Sequence, residues 1–129
     1  MIFIDSNYFI YAVGRPHPLR EEAQRFFLES AGEGKRLITS AEELHELLHV
    51  YLPVDRVDTL DAAFELATNG TDRVLPITKE VVLYGRSLSN IHPDLSARDL
   101  IHLSICKMNQ IHEIKTFDRS LRAAFDKKG

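Results

Sequence analysis

Ile2-Phe3-Ile4-Asp5-Ser6-Asn7 is the stretch on which the fold turns. Three apolar residues, two of them β-branched, form a short strand candidate. A carboxylate follows at once, then two residues that favour turns and helix starts. The strand is too short to stand alone, so its meaning depends on what the chain supplies for it to pair with.

The rest of the chain supplies alternating elements. Arg36-Leu37-Ile38-Thr39 reads as a second strand, and Arg73-Val74-Leu75-Pro76-Ile77 as a third whose proline places it at an edge. The segment from Ile111 to Phe117 holds a fourth. Between them run stripes at helical spacing. Leu19, Ala23, Phe26 and Phe27 form one stripe. Leu44, Leu47, Leu48 and Tyr51 form another, ended by Pro53. Val54, Val57, Leu60, Phe64 and Ala67 form a third, stopped at Asn69-Gly70. Val81, Tyr84 and Leu88 mark a fourth. Leu100, Ile101, Leu103, Ile105 and Met108 mark a fifth. Strands alternating with helices predict an α/β domain with a mostly parallel central sheet, because parallel strands need crossovers. In such sheets ligands gather beyond the carboxyl ends of the strands.

Size and composition narrow the class. The 129 residues suit a single domain spanning 1–129, and 44% hydrophobic with 27% charged is an ordinary globular balance. One cysteine, Cys106, makes neither an internal disulfide nor a cysteine zinc site, and is expected in the core. There is no run of about 18 apolar residues, hence no expected membrane span. The opening residues carry no secretory leader pattern, which makes the cytoplasm the expected compartment. The net charge of −3 argues at first against nucleic acid, whose partners are commonly basic.

Four acids stand where the chemistry of such a fold belongs. Asp5 follows the first strand and Asp118 the fourth, and each also suits a helix N-cap. Ser40-Ala41-Glu42-Glu43 reads as a capping box, which gives Glu43 a structural task and leaves Glu46 free. Ser96-Ala97-Arg98-Asp99 reads as a second such box. Asp5, Glu46, Asp99 and Asp118 are candidates to converge on one crevice. Carboxylates so gathered need a cation to stay ionised, and Mg²⁺ takes oxygen donors. Metal-assisted phosphodiester hydrolysis is the matching reaction class.

These residues resemble PIN-domain proteins, in particular VapC-type toxins of bacterial toxin–antitoxin pairs. Ile2-Phe3-Ile4-Asp5-Ser6-Asn7 is similar to the family's opening strand and first acid. Thr39-Ser40 with Glu46-Leu47-Leu48 is similar to the second block, the acid six residues after the serine. Leu95-Ser96-Ala97-Arg98-Asp99-Leu100-Ile101-His102 resembles the third and most specific block, and Thr116-Phe117-Asp118-Arg119 the fourth. The resemblance runs nearly end to end. It implies a three-layer α/β/α fold and a site of Asp5, Glu46, Asp99 and Asp118 holding Mg²⁺ or Mn²⁺. It also implies endoribonuclease activity through metal-activated water, a homodimer and a cognate antitoxin that covers the site. Thr116 and Asn7 would support the site. Arg98 and Arg119, beside site acids, are the candidates to touch RNA phosphate. The apolar helices from Leu19 to Ala31 and from Val54 to Ala67 offer surface for protein partners, although core packing is the simpler use of most of their residues.

Other readings compete. His45-Glu46-Leu47-Leu48-His49 is a literal H-E-x-x-H, the pattern of zinc hydrolases. Glu43 precedes it where an uncharged residue is favoured, Pro53 ends the helix, and no third ligand is evident. Solvated histidines are the plainer use. His102 lies one turn after Asp99 and reads as a packed, hydrogen-bonded histidine; His17, His92 and His112 read as loop residues. A haloacid-dehalogenase phosphatase wants a second aspartate where Asn7 stands. A receiver domain wants an acid pair near its first strand and an aspartate where Thr78 stands. A non-catalytic PIN-like module for RNA or protein would keep the fold and lose acids, whereas all four positions are filled.

The charge then reads differently. Setting four site acids aside turns −3 into +1. Residues 107–129 carry six basic residues (Lys107, Lys115, Arg119, Arg122, Lys127 and Lys128) against three acids. The acidity is compatible with RNA as substrate, and predicts that RNA affinity depends on the metal.

Overall fold

Ile2 and Ile4 pack into one hydrophobic cluster and Phe3, between them, into another. Side chains alternate across a strand, so this split places a core on each face of the sheet. In the computed structural model, which describes residues 1–127, the first strand β1 (Ile2–Ile4) is joined by β2 (Leu37–Ser40), β3 (Arg73–Leu75) and β4 (Glu113–Lys115). The order is β3-β2-β1-β4 and every pairing is parallel, with Ile2 opposite Leu37 on one side and Glu113 on the other. The third strand lies at the edge, as its proline implied.

Helices cover both faces. On the Ile2/Ile4 side lie α1 (Ser6–Val13), α2 (Pro18–Glu33), α3 (Ala41–Tyr51) and α4 (Val57–Asn69), which contribute Phe9, Ala23, Leu47 and Leu60 among others. On the Phe3 side lie α5 (Lys79–Leu88), α6 (Ala97–Met108) and α7 (Arg119–Asp126), contributing Val81, Ile105 and Leu121. This is the three-layer α/β/α arrangement expected from the sequence. Cys106 is fully buried in the second core.

The boundaries follow local chemistry. Gly34 ends α2 at φ 66°, a left-handed conformation that glycine adopts without strain. Pro53 lies in a 3₁₀ turn, Leu52–Val54, that closes α3. The Val54 end of the third stripe therefore belongs to this turn, and α4 begins at Val57. Gly70 caps α4, its N–H donating to Leu66 O at 2.8 Å. The second strand begins one residue later than expected, and the third stops at Leu75, before Pro76. His17, expected in a loop, caps α2 by accepting from Leu19 N.

Two expectations need correction. The helix α1, directly after Asp5, is not among those the stripes predict, because its apolar run carries no break. The box at Ser40 does not close: Ser40 stands at the N-cap position of α3 without a side-chain capping bond, and Glu43 turns inward. Lys128, one of the basic C-terminal residues, lies outside the described residues, as does the last residue of the expected span 1–129.

Candidate functional site

The carboxyl ends of β1, β2 and β4, adjacent in the sheet, open toward one edge. Asp5 follows β1 and is 5% exposed. Its Oδ1 accepts from Ser6 N at 2.8 Å, so it caps α1. Its Oδ2 accepts from the Thr116 hydroxyl at 2.6 Å and from Asn7 Nδ2 at 3.2 Å. Asn7 also donates to Thr116 Oγ1 at 3.3 Å and accepts from Phe117 N at 3.3 Å. Thr116 Oγ1 in turn accepts from Asp118 N at 2.9 Å. The opening strand and the segment after β4 are thus tied through Asn7 and Thr116, both of which donate to the Asp5 carboxylate.

The helix α3 brings two more carboxylates. Glu46 Oε1 lies 3.0 Å from His102 Nε2, and its Oε2 accepts from the Ser6 hydroxyl. Glu43 Oε2 accepts from Ser6 N at 2.8 Å, and Oε1 approaches His102 Nδ1 at 2.6 Å. His102, from α6, therefore stands between two glutamates with no solvent contact. Ligand atoms of Asp5, Glu43, Glu46 and His102 lie within 4.8 Å of one another.

The charges follow from this packing. Burial opposes a charged ring at His102, yet Glu43 and then Glu46 outweigh it and hold the imidazole well above its ordinary value. Burial is also the largest influence on Glu43 and pushes its carboxyl well up, beyond what His102 offsets. Glu46 is also opposed by burial, but its bond to His102, with help from Ser6 and Arg98, brings it below the ordinary carboxylate range.

Asp99 and Asp118, the other two expected acids, are not among the four residues whose ligand atoms lie within 4.8 Å of one another. Asp99 N donates to Ser96 Oγ at 3.2 Å at the start of α6, the cap expected there. Burial raises the Asp99 carboxyl, and Asp118, Asp5 and Glu46 add repulsion that His102 only partly offsets. Asp118 Oδ1 caps α7 through Leu121 N at 3.1 Å. The cap on α7 uses one Asp118 oxygen and leaves further acceptor positions on that carboxylate, while the Asp99 carboxylate takes no part in its helix's cap. Arg98 Nε lies 3.9 Å from Glu46 Oε1 on an exposed side chain, and Arg119 is exposed at the start of α7.

The H-E-x-x-H histidines lead elsewhere. The His45 and His49 rings meet edge-on with centroids 4.7 Å apart, and neither residue is buried. His45 faces Glu42 at 3.4 Å. The glutamate between them is directed to His102 and Ser6, so the zinc arrangement is not assembled.

A hard divalent cation fits this edge. Asp99 is repelled by three neighbouring carboxylates, the oxygen donors match Mg²⁺ or Mn²⁺ chemistry, and His102 spends both ring nitrogens on glutamates. The residue missed by sequence reading is Glu43. Its S-x-x-E spacing satisfied a capping box; its distinguishing feature, the partner His102, lies on another helix.

Fold and site together define an α/β/α domain with clustered acids at the carboxyl edge of a parallel sheet, where such sheets take their ligands. Residues 2–126 match the PIN domain. The chain is 47% identical to Ribonuclease VapC23 of Mycobacterium tuberculosis over 125 residues, 97% of this chain and 98% of that one. It is 36% identical to Ribonuclease VapC13 of the same organism over 92% of this chain and 91% of the relative. The chain belongs to the PIN-domain family, among the VapC ribonucleases. The crystal structure of Mycobacterium tuberculosis VapC20, described as a sarcin-ricin loop cleaving toxin, superposes with a TM-score of 0.81 at 17% identity, covering 96% of this chain and 95% of that one. FitAcB from Neisseria gonorrhoeae does so at 0.72 and 21%, covering 98% and 94%. Both share the fold.

Proposed function

We propose that this chain is an endoribonuclease toxin that hydrolyses RNA phosphodiester bonds with Mg²⁺ or Mn²⁺ held by Asp5, Glu46, Asp99 and Asp118. The observation that carries the reading is the convergence of Asp5 and Glu46 around buried His102, in a chain nearly half identical to a VapC ribonuclease.

The protein's own groups have distinct tasks. Thr116 and Asn7 fix the Asp5 carboxylate by charge-assisted hydrogen bonds. Ser6 and His102 fix Glu46. His102, its ring nitrogens directed at Glu43 and Glu46, orients both carboxylates. Arg98 and Arg119, on the exposed rim, meet RNA phosphates. A divalent cation held by these acids would supply a water of lowered pKa and charge neutralisation at the phosphoryl oxygens.

The same reading gives a cognate antitoxin protein as inhibitor, a homodimer as the assembly and the cytoplasm as the compartment. Exposed Leu28, Val54 and Val57 on or beside α2 and α4 supply apolar surface for protein partners. Among the described residues no helix is long and apolar enough to cross a membrane. The test is incubation of total RNA with the purified protein and Mg²⁺, then with EDTA, with the cleavage ends mapped. Discrete ends that vanish with EDTA are expected; intact RNA in both would overturn the reading.

A further inference from the structure

A cavity of about 240 Å³ lies between the turn joining α5 to α6 and α7. It is lined by His92, Pro93, Asp94, Leu95, Ala123 and Lys127, among others. His92 is 6% exposed, and its Nε2 has no hydrogen-bond partner among the described residues. A buried ring nitrogen left unpaired is costly unless a ligand satisfies it. The backbone around it is fixed: His92 N donates to Leu88 O at 2.9 Å, Leu95 N donates to His92 O at 3.2 Å, and Lys127 Nζ donates to Ile91 O at 3.1 Å. The last bond straps the turn to the end of α7.

Both walls of the cavity lie close in sequence to the site acids. Leu95 precedes Ser96, which caps the helix carrying Asp99. Ser120, also in the lining, is two residues from Asp118, which limits their Cα separation to about 7 Å. The volume falls below the roughly 300–1,000 Å³ of pockets for drug-sized ligands and suits one planar ring system. Its walls combine apolar surface from Pro93, Leu95 and Ala123 with a few polar groups. One carboxylate, Asp94, faces the cavity with one ammonium, Lys127, a balance that suits a neutral, hydrogen-bonding ring better than a bare phosphate. Burial, reinforced by Lys127 and Lys107, lowers the His92 pKa, and a neutral imidazole offers a donor at one nitrogen and an acceptor at the other.

We infer that this cavity is a subsite for one unstacked nucleobase of the RNA, held between apolar walls and read by His92 and Asp94. Single-stranded RNA is recognised by splaying bases into such positions and bonding their edges. The inference rests on the ribonuclease reading for its substrate, and assigns specificity to residues outside the metal site.

The test has one arm that needs no catalysis. The four nucleoside 5′-monophosphates are titrated, in EDTA, into protein with isotope-labelled histidine. The His92 signal is assigned by its loss in His92→Gln. At least one nucleotide should shift that signal saturably, ribose 5-phosphate should not, and Ala123→Phe, which fills the cavity from an exposed helix position, should abolish the effect. In the second arm, RNA lacking one base beside the cleavage site should lose cleavage efficiency on the order of tenfold with wild type, and show no such loss with Ala123→Phe. The absence of a His92 shift with all four nucleotides, or an equal shift with ribose 5-phosphate, would overturn the inference. Uncut RNA alongside a nucleotide-specific shift would instead contradict the ribonuclease reading and leave the subsite standing.

Discussion

Glu43 Oε1 and His102 Nδ1 stand 2.6 Å apart, on α3 and α6, with neither side chain reached by solvent. The contact joins the Ile2/Ile4 side of the sheet to the Phe3 side, above the carboxyl end of β1. Two buried polar groups so placed hold each other: removing His102 strips Glu43 of its ring partner, and removing Glu43 leaves His102 Nδ1 unpaired with only Glu46 on its other nitrogen. Breaking a buried pair of this kind costs about 3–5 kcal/mol. Glu43→Ala and His102→Ala should therefore each lower unfolding stability by about that amount in urea titrations, and the double substitution should cost less than their sum. Equal additivity would show that the two residues act separately.

The pH dependence of the metal-free protein follows from the same cluster. Glu46 is held below its ordinary 4.5, so its contribution is complete above that value and is lost as pH falls through the folded-state value. His102 is held well above 6.5, so its contribution is complete below 6.5 and is lost as pH rises through its folded-state value. Glu43, held well above 4.5, acts in the same direction as His102. Asp99, also held up, acts the same way, so in EDTA the melting temperature should be highest at about pH 4.5 and fall from there toward alkaline pH. A melting temperature that climbs steadily from pH 6 to 9 would contradict the protonated histidine.

Thr116 offers a narrower test, because its hydroxyl serves Asp5, Asp118 N and Asn7 together. Thr116→Val keeps the shape and removes the hydroxyl. A hydrogen bond to a charged group contributes about 1.5–3 kcal/mol, and its loss also frees the Asp5 carboxylate to rotate. The expected result is weaker Mn²⁺ affinity by calorimetry together with reduced cleavage, both largely restored in Thr116→Ser. A valine variant with unchanged metal affinity would remove Thr116 from the site.

Arg98 and Arg119 are separable from the metal site by their salt dependence. Arg98 is 58% exposed, so its 3.9 Å approach to Glu46 adds little to stability. Replacing either arginine by alanine should leave the urea midpoint nearly unchanged. It should weaken RNA binding, and flatten the dependence of log affinity on log salt by about 0.7 for each phosphate no longer neutralised. An unchanged slope would assign the arginine to solvent.

Much of the fold is legible along the chain because strands and helices leave different periods. Ile2-Phe3-Ile4 and the stripe of Leu44, Leu47, Leu48 and Tyr51 each state their geometry locally, and Pro76 even states its strand's position. The helix α1 is hidden because Tyr8 to Val13 is one apolar run, in which helical and strand periods cannot be told apart. Asp5, Asp99 and Asp118 are visible because each ends a strand or opens a helix. Glu43 is not: its local pattern fits a cap, and only the packing of α6 across the sheet shows that its partner is His102. The pairing of His102 with two glutamates is likewise a tertiary fact without local signature.

Asp5 accepts from Ser6 N, Asn7 and Thr116 at the end of β1, so its isosteric replacement tests the central claim most directly. Wild type and Asp5→Asn, matched for melting temperature and secondary structure, would be incubated with the same RNA in Mg²⁺ and in EDTA. The account predicts discrete cleavage only for wild type with Mg²⁺, with the rate of Asp5→Asn reduced to the level seen in EDTA. Equal cleavage by the two proteins in Mg²⁺ would contradict it.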